Sequence, residues 1–209
     1  MGCRLVGRVH LGHVAARQVV GVSAAYWQAR YAEGGNSGSG SEGENAVWKA
    51  TFVNDFVASH DVRDVIEFGC GDGRQLALAN YPQYTGLDVS ETAVGMCEQR
   101  FPQHSFHTLP LPWPVAADLV LSLDVTYHLV EDDVFASHMD DVFGSALRWV
   151  ILYTTDSDTL DPGYKSAAHV RHRPVVEHVI AEFPEWDLQE VVRNPAPHMG
   201  GSDFYVYSR

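Results

Sequence analysis

Asp64-Val65-Ile66-Glu67-Phe68-Gly69-Cys70-Gly71-Asp72-Gly73 passes from an apolar run into a glycine loop within ten residues. Val65, Ile66 and Phe68 are β-branched or aromatic, which predicts a short buried strand. Glycine at every second position from Gly69 cannot continue that strand. It permits a tight turn and lets the backbone pass close to a ligand. A helix is predicted beyond it, near Arg74–Asn80, whose first N–H groups would face the same space.

Downstream, the alternation is regular. Tyr84–Asp88 reads as a second strand. Glu91–Phe101 reads as a helix with Ser90 as its N-cap and Pro102 beyond its end. Ser105–Thr108 is a short third strand, Leu119–Leu123 a fourth, Asp132–Phe143 a helix and Trp149–Tyr153 a fifth strand. The fourth and fifth are near-continuous apolar runs, as expected of parallel strands covered on both faces. After a helix at Pro174–Phe183, Trp186–Arg193 and Asp203–Tyr207 read as a closing antiparallel pair. The expected fold is α/β, a Rossmann-like doubly wound, mostly parallel seven-stranded sheet with an antiparallel last strand and a helical N-terminal cap.

That cap is read from two helical patterns. Trp27 and Tyr31 lie four apart in the first, around Ala24–Glu33. Trp48, Phe52 and Phe56 repeat every four in the second, roughly Glu44–Ser59. Between them Gly34–Gly43 holds five glycines among ten residues, too many for helix or strand. It reads either as a flexible linker or as a mobile lid near a ligand. Residues 1–22 read as an N-terminal extension, since residues 1–32 hold four arginines and no acid. An organelle transit peptide is the other reading. Residues 23–209 then form one domain.

A strand, a glycine loop and a helix can hold a dinucleotide or the carboxylate end of S-adenosylmethionine. The dinucleotide fingerprint G-x-G-x-x-G/A needs a small third residue, and that position is Arg74 counted from Gly69 or Leu76 counted from Gly71. The form E-x-G-x-G-x-G resembles instead the first motif of class I S-adenosylmethionine-dependent methyltransferases. Asp88 ends the second strand 21 residues after Glu67, where a carboxylate can accept both hydroxyls of a ribose. Leu121–Leu129, with Asp124, looks like the family's fourth-strand motif, which faces the methionine part of the cofactor. Trp27–Gly40 and Asp118–Asp133 resemble the small-molecule members in particular. The resemblance covers residues 24–155. It implies S-adenosyl-L-methionine as cofactor, held by Trp27, Tyr31, Glu67, Gly69, Gly71, Gly73, Asp88, Val89 and Asp124. Family members commonly carry an acid after the third strand that binds the adenine amine. Phe106-His107-Thr108-Leu109-Pro110 offers none, so Thr108 or main-chain groups are expected to substitute.

His128 follows Asp124 by four residues at the carboxyl edge of the sheet. Titrating near neutrality, it is a candidate general base, with a structural hydrogen bond to a loop carbonyl as the plainer role. His169, Arg171, His172 and Arg173 form a basic cluster in an acidic chain. They are candidates to grip an anionic acceptor, in an expected acceptor-binding insert at 156–185. Neither Cys70 nor Cys97 has a clear partner base, and Asp156, Asp158 and Asp161 read as loop acids, so no metal is expected.

Composition bounds the function. The 209 residues carry 27 acids against 14 Lys and Arg, for a net charge of −13. That argues against a nucleic-acid partner, which requires a cationic surface. No stretch approaches a membrane span. Three cysteines are too few for a disulfide framework, which suits a reducing, cytoplasmic setting. The expected activity is methyl transfer from S-adenosylmethionine to an O or N atom of a small-molecule acceptor. The alternatives are a catalytically inactive cofactor-binding partner subunit and a nicotinamide oxidoreductase, the latter disfavoured by Arg74.

Overall fold

The computed structural model describes residues 21–156, 167–195 and 201–209. The greater part of the N-terminal extension, the 157–166 part of the expected insert, and Asp158 and Asp161 lie outside the described residues. Two helices come first, α1 (Val22–Ala32) and α2 (Gly43–Ser59). The sheet region follows as β1 (Val65–Phe68), β2 (Tyr84–Asp88), α3 (Glu91–Arg100), β3 (Ser105–Thr108), β4 (Ala117–Leu123), α4 (Asp132–Ser145) and β5 (Ala146–Thr154). It closes with α5 (Val175–Glu182), β6 (Asp187–Val192) and β7 (Asp203–Ser208).

All seven strands join one sheet in the order β3-β2-β1-β4-β5-β7-β6. The first five are parallel, and β7 runs antiparallel to both β5 and β6. The chain builds outward from β1 to β3, then crosses back to start β4 on the other side of β1. Ligands of such sheets collect at this reversal, outside the carboxyl ends of the strands.

Strand periodicity sets the two cores. Leu119 and Leu121 point to one face and pack with Val53 and Phe56 of α2 and Cys97 of α3. Val120, between them, points to the other face and packs with Phe135, Met139 and Phe143 of α4 and Val179 of α5. Every residue of β4 is buried, which explains why its sequence does not alternate with polar residues.

The helix expected at Arg74–Asn80 is not formed. The segment makes a single 3-10 turn at Leu76–Leu78. Pro82 restricts Tyr81 just downstream, which leaves too few residues to repay helix nucleation. Side chains take up the backbone groups that a helix would have paired. Asn54 Nδ2 donates to Leu78 O at 3.0 Å, and Asn54 Oδ1 accepts from the Asn80 N–H at 2.8 Å. Gln75 Nε2 donates to Ala46 O at 3.0 Å. The glycine loop is therefore backed by α2 and α3, with no long helix opening from it.

Gly73 belongs to this backing. It has φ +73°, and a Cβ there would lie 2.6 Å from the Phe101 ring and 3.0 Å from Cys97 Sγ. Gly73→Ala is expected to destabilise the fold by roughly 1–3 kcal/mol through backbone strain and overpacking. The measurement is urea unfolding, with a lower midpoint and an unchanged slope. An unchanged midpoint would mean that the loop relaxes freely at this position.

Candidate active site

A cleft of about 920 Å³, counting its open mouth, lies at the strand-order reversal. Trp27, Tyr31, Glu67, Gly69, Gly71, Asp88, Val89, Asp124 and His128 all line it. Gly73, Thr108, His169, Arg171, His172 and Arg173 are not among the lining residues. Gly73 is a packing position, as described above. At the end of β3 the wall residue is Leu109, one past Thr108, and its N–H donates to Asp88 O at 2.8 Å.

Two of the loop glycines are needed where they stand. Gly69 has φ +86° and Gly71 has φ +55°. A Cβ on Gly69 would collide with Val125, and one on Gly71 with Ser37 Oγ and the Tyr31 hydroxyl. Asp88 fixes the loop from the side, since its Oδ2 accepts the Gly71 N–H at 2.9 Å and its Oδ1 the Ser90 N–H at 2.9 Å. Burial raises the pKa of this carboxyl, and the backbone hydrogen bonds oppose the rise. Each oxygen keeps lone-pair capacity for a ligand hydroxyl.

Residues 34–43 are docked rather than loose. Ser37 Oγ donates to Asp72 Oδ1 at 2.8 Å, the Ser37 N–H donates to Asp72 Oδ2 at 3.3 Å, and the Tyr31 hydroxyl is 3.0 Å from Ser37 Oγ. Arg30 Nε donates to Asn36 O at 2.6 Å, and Arg74 pairs with Glu42. Ser37 and Ser41 reach the cleft, and the Gly40 backbone lies against Asp124. At its other end α1 is clasped to α4. Ser23 donates its hydroxyl to Glu131 Oε2 at 2.5 Å and its N–H to Oε1 at 3.2 Å. The glycine-rich stretch, which composition left open between linker and lid, is thus a second wall facing the first glycine loop.

The cleft also holds a cation that sequence reasoning passed over. Lys49 of α2 is only 1% exposed, pairs with Asp124 and sits 5.1 Å from the centre of the Tyr153 ring. Asp124 has φ +60°, and its Oδ1 accepts from the Tyr127 hydroxyl at 2.7 Å. Glu67 accepts from the Tyr84 hydroxyl at 2.6 Å. Burial lifts its pKa to about 7, against the opposing effects of that hydrogen bond and the Lys49 charge. A signal for Lys49 existed in the sequence. Ala46, Ala50, Val53 and Val57 form a buried stripe along α2, and Lys49 falls on it.

His128 stands in a 3-10 turn (Thr126–His128) and differs from expectation in its titration. Its ring is enclosed by Trp27 at 4.9 Å, Tyr127 at 4.6 Å and His169 at 5.5 Å between centres. That burial pulls its pKa down to about 4, not near neutrality. His128 Nδ1 lies 3.1 Å from His169 O. A carbonyl only accepts, so Nδ1 carries the proton and Nε2 is left as a bare acceptor.

The basic cluster is engaged outside the cleft. Arg173 donates to Leu129 O at 2.7 Å and Val130 O at 3.1 Å, and Arg171 donates to Val130 O at 3.0 Å. Both pair with Asp132 at the start of α4. These guanidinium groups hold the chain ahead of α4. His169 stacks on Tyr26 at 4.4 Å, and His172 Nδ1 lies 2.6 Å from Thr155 Oγ1. The two histidines brace the wall behind His128. Asp156 accepts the Val176 N–H at 2.9 Å, and among the described residues no group of three His, Cys, Asp or Glu is placed to hold a metal.

Residues 66–144 match the family described as "Methyltransferase domain". No curated protein matches the chain. Among solved structures, the N-methyltransferase NodS from Bradyrhizobium japonicum WM9, in complex with S-adenosyl-L-homocysteine, is similar with a TM-score of 0.67 at 17% identity. That similarity covers 90% of this chain and 98% of the other. Magnesium protoporphyrin IX methyltransferase from Synechocystis PCC 6803 gives a TM-score of 0.62 at 19% identity, covering 78% and 83%. CalS10, an amino pentose methyltransferase from Micromonospora echinaspora, gives 0.62 at 15%, covering 81% and 93%. The residues that match this domain hold the glycine loop tied to the β2 carboxylate, at the strand-order reversal of a fold shared with these solved methyltransferases.

Proposed function

We propose that the protein methylates an O or N atom of a small-molecule acceptor. The carrying observation is the division of the cleft. One end is polar backbone with fixed carboxylates, and the other is a wall of rings, Trp27 and His128, where His128 Nε2 is an acceptor. The named neighbours act on a porphyrin, as an N-methyltransferase and on an amino pentose, which supports a small acceptor. Among the described residues no helix is long and apolar enough to cross a membrane, and the thiols of Cys70 and Cys97 are free and buried. A reducing cytoplasmic setting fits both. Residues 23–209 serve as one domain, in which the 156–185 segment supplies His169 and His172 to the wall.

The residues present fit the cofactor. Gly69 and Gly71 form a cradle that any Cβ would fill, and Asp88 offers acceptors to ribose hydroxyls. Lys49 and Asp124 offer opposite charges to the carboxylate and ammonium of the amino-acid end. When bound, the cofactor supplies a methyl group already attached to a good leaving group, the sulfonium. The protein's part is orientation and exclusion of water. Ordering of this kind contributes up to roughly 7–11 kcal/mol in favourable systems. Tyr31, Ser37 and Asp72 close one wall over the glycine loop. His128 Nε2 accepts a hydrogen bond from the acceptor's N–H or O–H. With a pKa of about 4 it orients that group and does not store its proton at neutral pH. An acceptor nucleophilic without full deprotonation, an amine above all, suits this site best. Arg171 and Arg173 are committed to Leu129, Val130 and Asp132, so an anionic acceptor loses its motivation.

The direct test feeds methyl-labelled S-adenosylmethionine and fractionated small metabolites to the protein. Label in a small product supports the proposal, whereas label only in macromolecules overturns it. Lys49→Met is expected to cut S-adenosylhomocysteine affinity by more than tenfold in calorimetry. It should also destabilise the fold by about 3–5 kcal/mol, because Asp124 and Glu67 lose their buried counter-charge. Adding Asp124→Asn should restore stability but not affinity. Restored affinity in the double variant would show that Lys49 acts only by neutralising Asp124.

His128→Ala is expected to lower kcat by about 10–100-fold with S-adenosylhomocysteine affinity unchanged within twofold. The working form is the neutral ring, and its folded pKa is depressed to about 4. The His128 contribution to rate should therefore be flat above about pH 5.5 and fall only as pH drops towards 4. A break near 6.5 that vanishes in the variant would instead make His128 a neutral-range base.

A further inference from the structure

A second histidine reaches the cleft from α4, and nothing in the mechanism above uses it. His138 lies one turn after Val134, and both line the cleft with Leu109 and Val89. Its Nε2 is 2.9 Å from Ser122 Oγ of β4, and its ring meets Phe68 edge-on at 5.9 Å and 86°. These contacts fix the ring plane. No other hydrogen bond reaches the ring among the described residues, and Nδ1 is not among the atoms sealed in the core without a partner. Nδ1 thus stays open to a partner from outside the protein, on a residue that lines the cleft. Burial pulls the ring's pKa to about 4, so it presents a neutral imidazole at physiological pH.

The surroundings point to a ligand shape. Val89 follows Asp88 at the end of β2, and Leu109 follows β3 and bonds back to Asp88 O at 2.8 Å. Both therefore lie on the β2–β3 side of the cleft, away from the wall of Trp27 and His128, which borders the segment after β5 through His169. Val89, Leu109 and Val134 give this compartment aliphatic surfaces. A purine needs such a place, because its faces are apolar while its edge carries ring nitrogens that must be paired. The end of β3 and the residues just after it, Phe106 to Pro110, provide no carboxylate to pair them.

We propose that His138, oriented by Ser122, hydrogen-bonds the adenine ring of the cofactor in a compartment walled by Val89, Leu109 and Val134. The proposal rests on S-adenosylmethionine as cofactor. Recognition from α4 then replaces the acid that this chain lacks after β3. Ser122 is a positioning residue, since its hydroxyl sets which way the imidazole faces.

Calorimetry with ligands that divide the cofactor tests this. S-adenosylhomocysteine carries both ends, 5′-methylthioadenosine only the adenosine end, and S-ribosylhomocysteine lacks the base. His138→Gln keeps a polar atom towards Ser122 and removes the one at Nδ1. His138→Asn keeps a polar atom near Nδ1 and gives up the contact with Ser122. His138→Gln is expected to weaken S-adenosylhomocysteine and 5′-methylthioadenosine by about tenfold each, on the scale of one hydrogen bond lost in a buried site. It should leave S-ribosylhomocysteine unchanged, and His138→Asn should stay within about threefold of the parent for all three. Thermal unfolding checks that both variants remain folded. An equal loss for S-ribosylhomocysteine would make His138 structural and overturn the proposal. So would full S-adenosylhomocysteine affinity with reduced turnover, which would move His138 to the acceptor side. If the parent protein bound none of the three ligands, the cofactor assignment would fall instead.

Discussion

The Gly71 peptide is the point on which the site depends. Its N–H donates to Asp88 at 2.9 Å, its carbonyl accepts from Cys97 Sγ at 3.2 Å, and Ser37 and Tyr31 crowd its Cα. Three pieces of chain distant in sequence, the end of β2, the core of α3 and the α1 cap with its glycine-rich loop, are held in register by one glycine. Each contact requires the others. Asp88 can accept from Gly71 only because the loop turns at φ +55°, and Ser37 can approach only because no Cβ is present. The contacts that shape the cradle are all made within the chain, which reduces what binding must order.

The buried Lys49–Asp124 pair is of a different kind. Removing two charges from water is costly, and a well-packed apolar pair of similar volume would often be at least as stable. Lys49 is the one charged residue on the buried face of α2, beside Asn45 and a run of apolar side chains. What the pair provides is a cation and an anion, already desolvated, at the wall of a cleft whose ligand carries both signs at its amino-acid end. Glu67 shares this field, because its carboxyl is lifted by burial and restrained by Lys49.

Much of this was legible in the sequence, for identifiable reasons. Strand β4 and the glycine loop follow from short-range patterns, and both stand where the residues place them. The helix expected after Gly73 failed because propensity was read without Pro82 and without the side chains of α2 that would take its backbone groups. His128 is legible from its place after Asp124, but its depressed pKa is not, because titration depends on Trp27, Tyr127 and His169, which only the fold brings together. Lys49 is hidden in the sequence because the aromatic repeat Trp48, Phe52 and Phe56 stands out, whereas Lys49 shares its buried face with the smaller Ala46, Ala50 and Val53. Arg171 and Arg173 looked free in a one-dimensional chain, although their partners, the carbonyls of Leu129 and Val130, lie about forty residues away.

These charges bear on the chemistry together. A sulfonium is cationic before methyl transfer and neutral after it, so stray positive charge in the cleft would disfavour the bound cofactor. Among the described residues the cleft is lined by two imidazoles and one ammonium, and each is handled in a way that avoids that repulsion. His128 and His138 are kept neutral by burial, both with pKa values of about 4. Lys49 is neutralised by Asp124. The basic groups nearest the wall, Arg171 and Arg173, are drawn off to Asp132 and to backbone carbonyls. The same burial that makes His128 a poor proton store thus makes it an inoffensive neighbour for a cation. Positioning by neutral donors and acceptors, rather than strong acid–base chemistry, is the mode of catalysis that this arrangement can support.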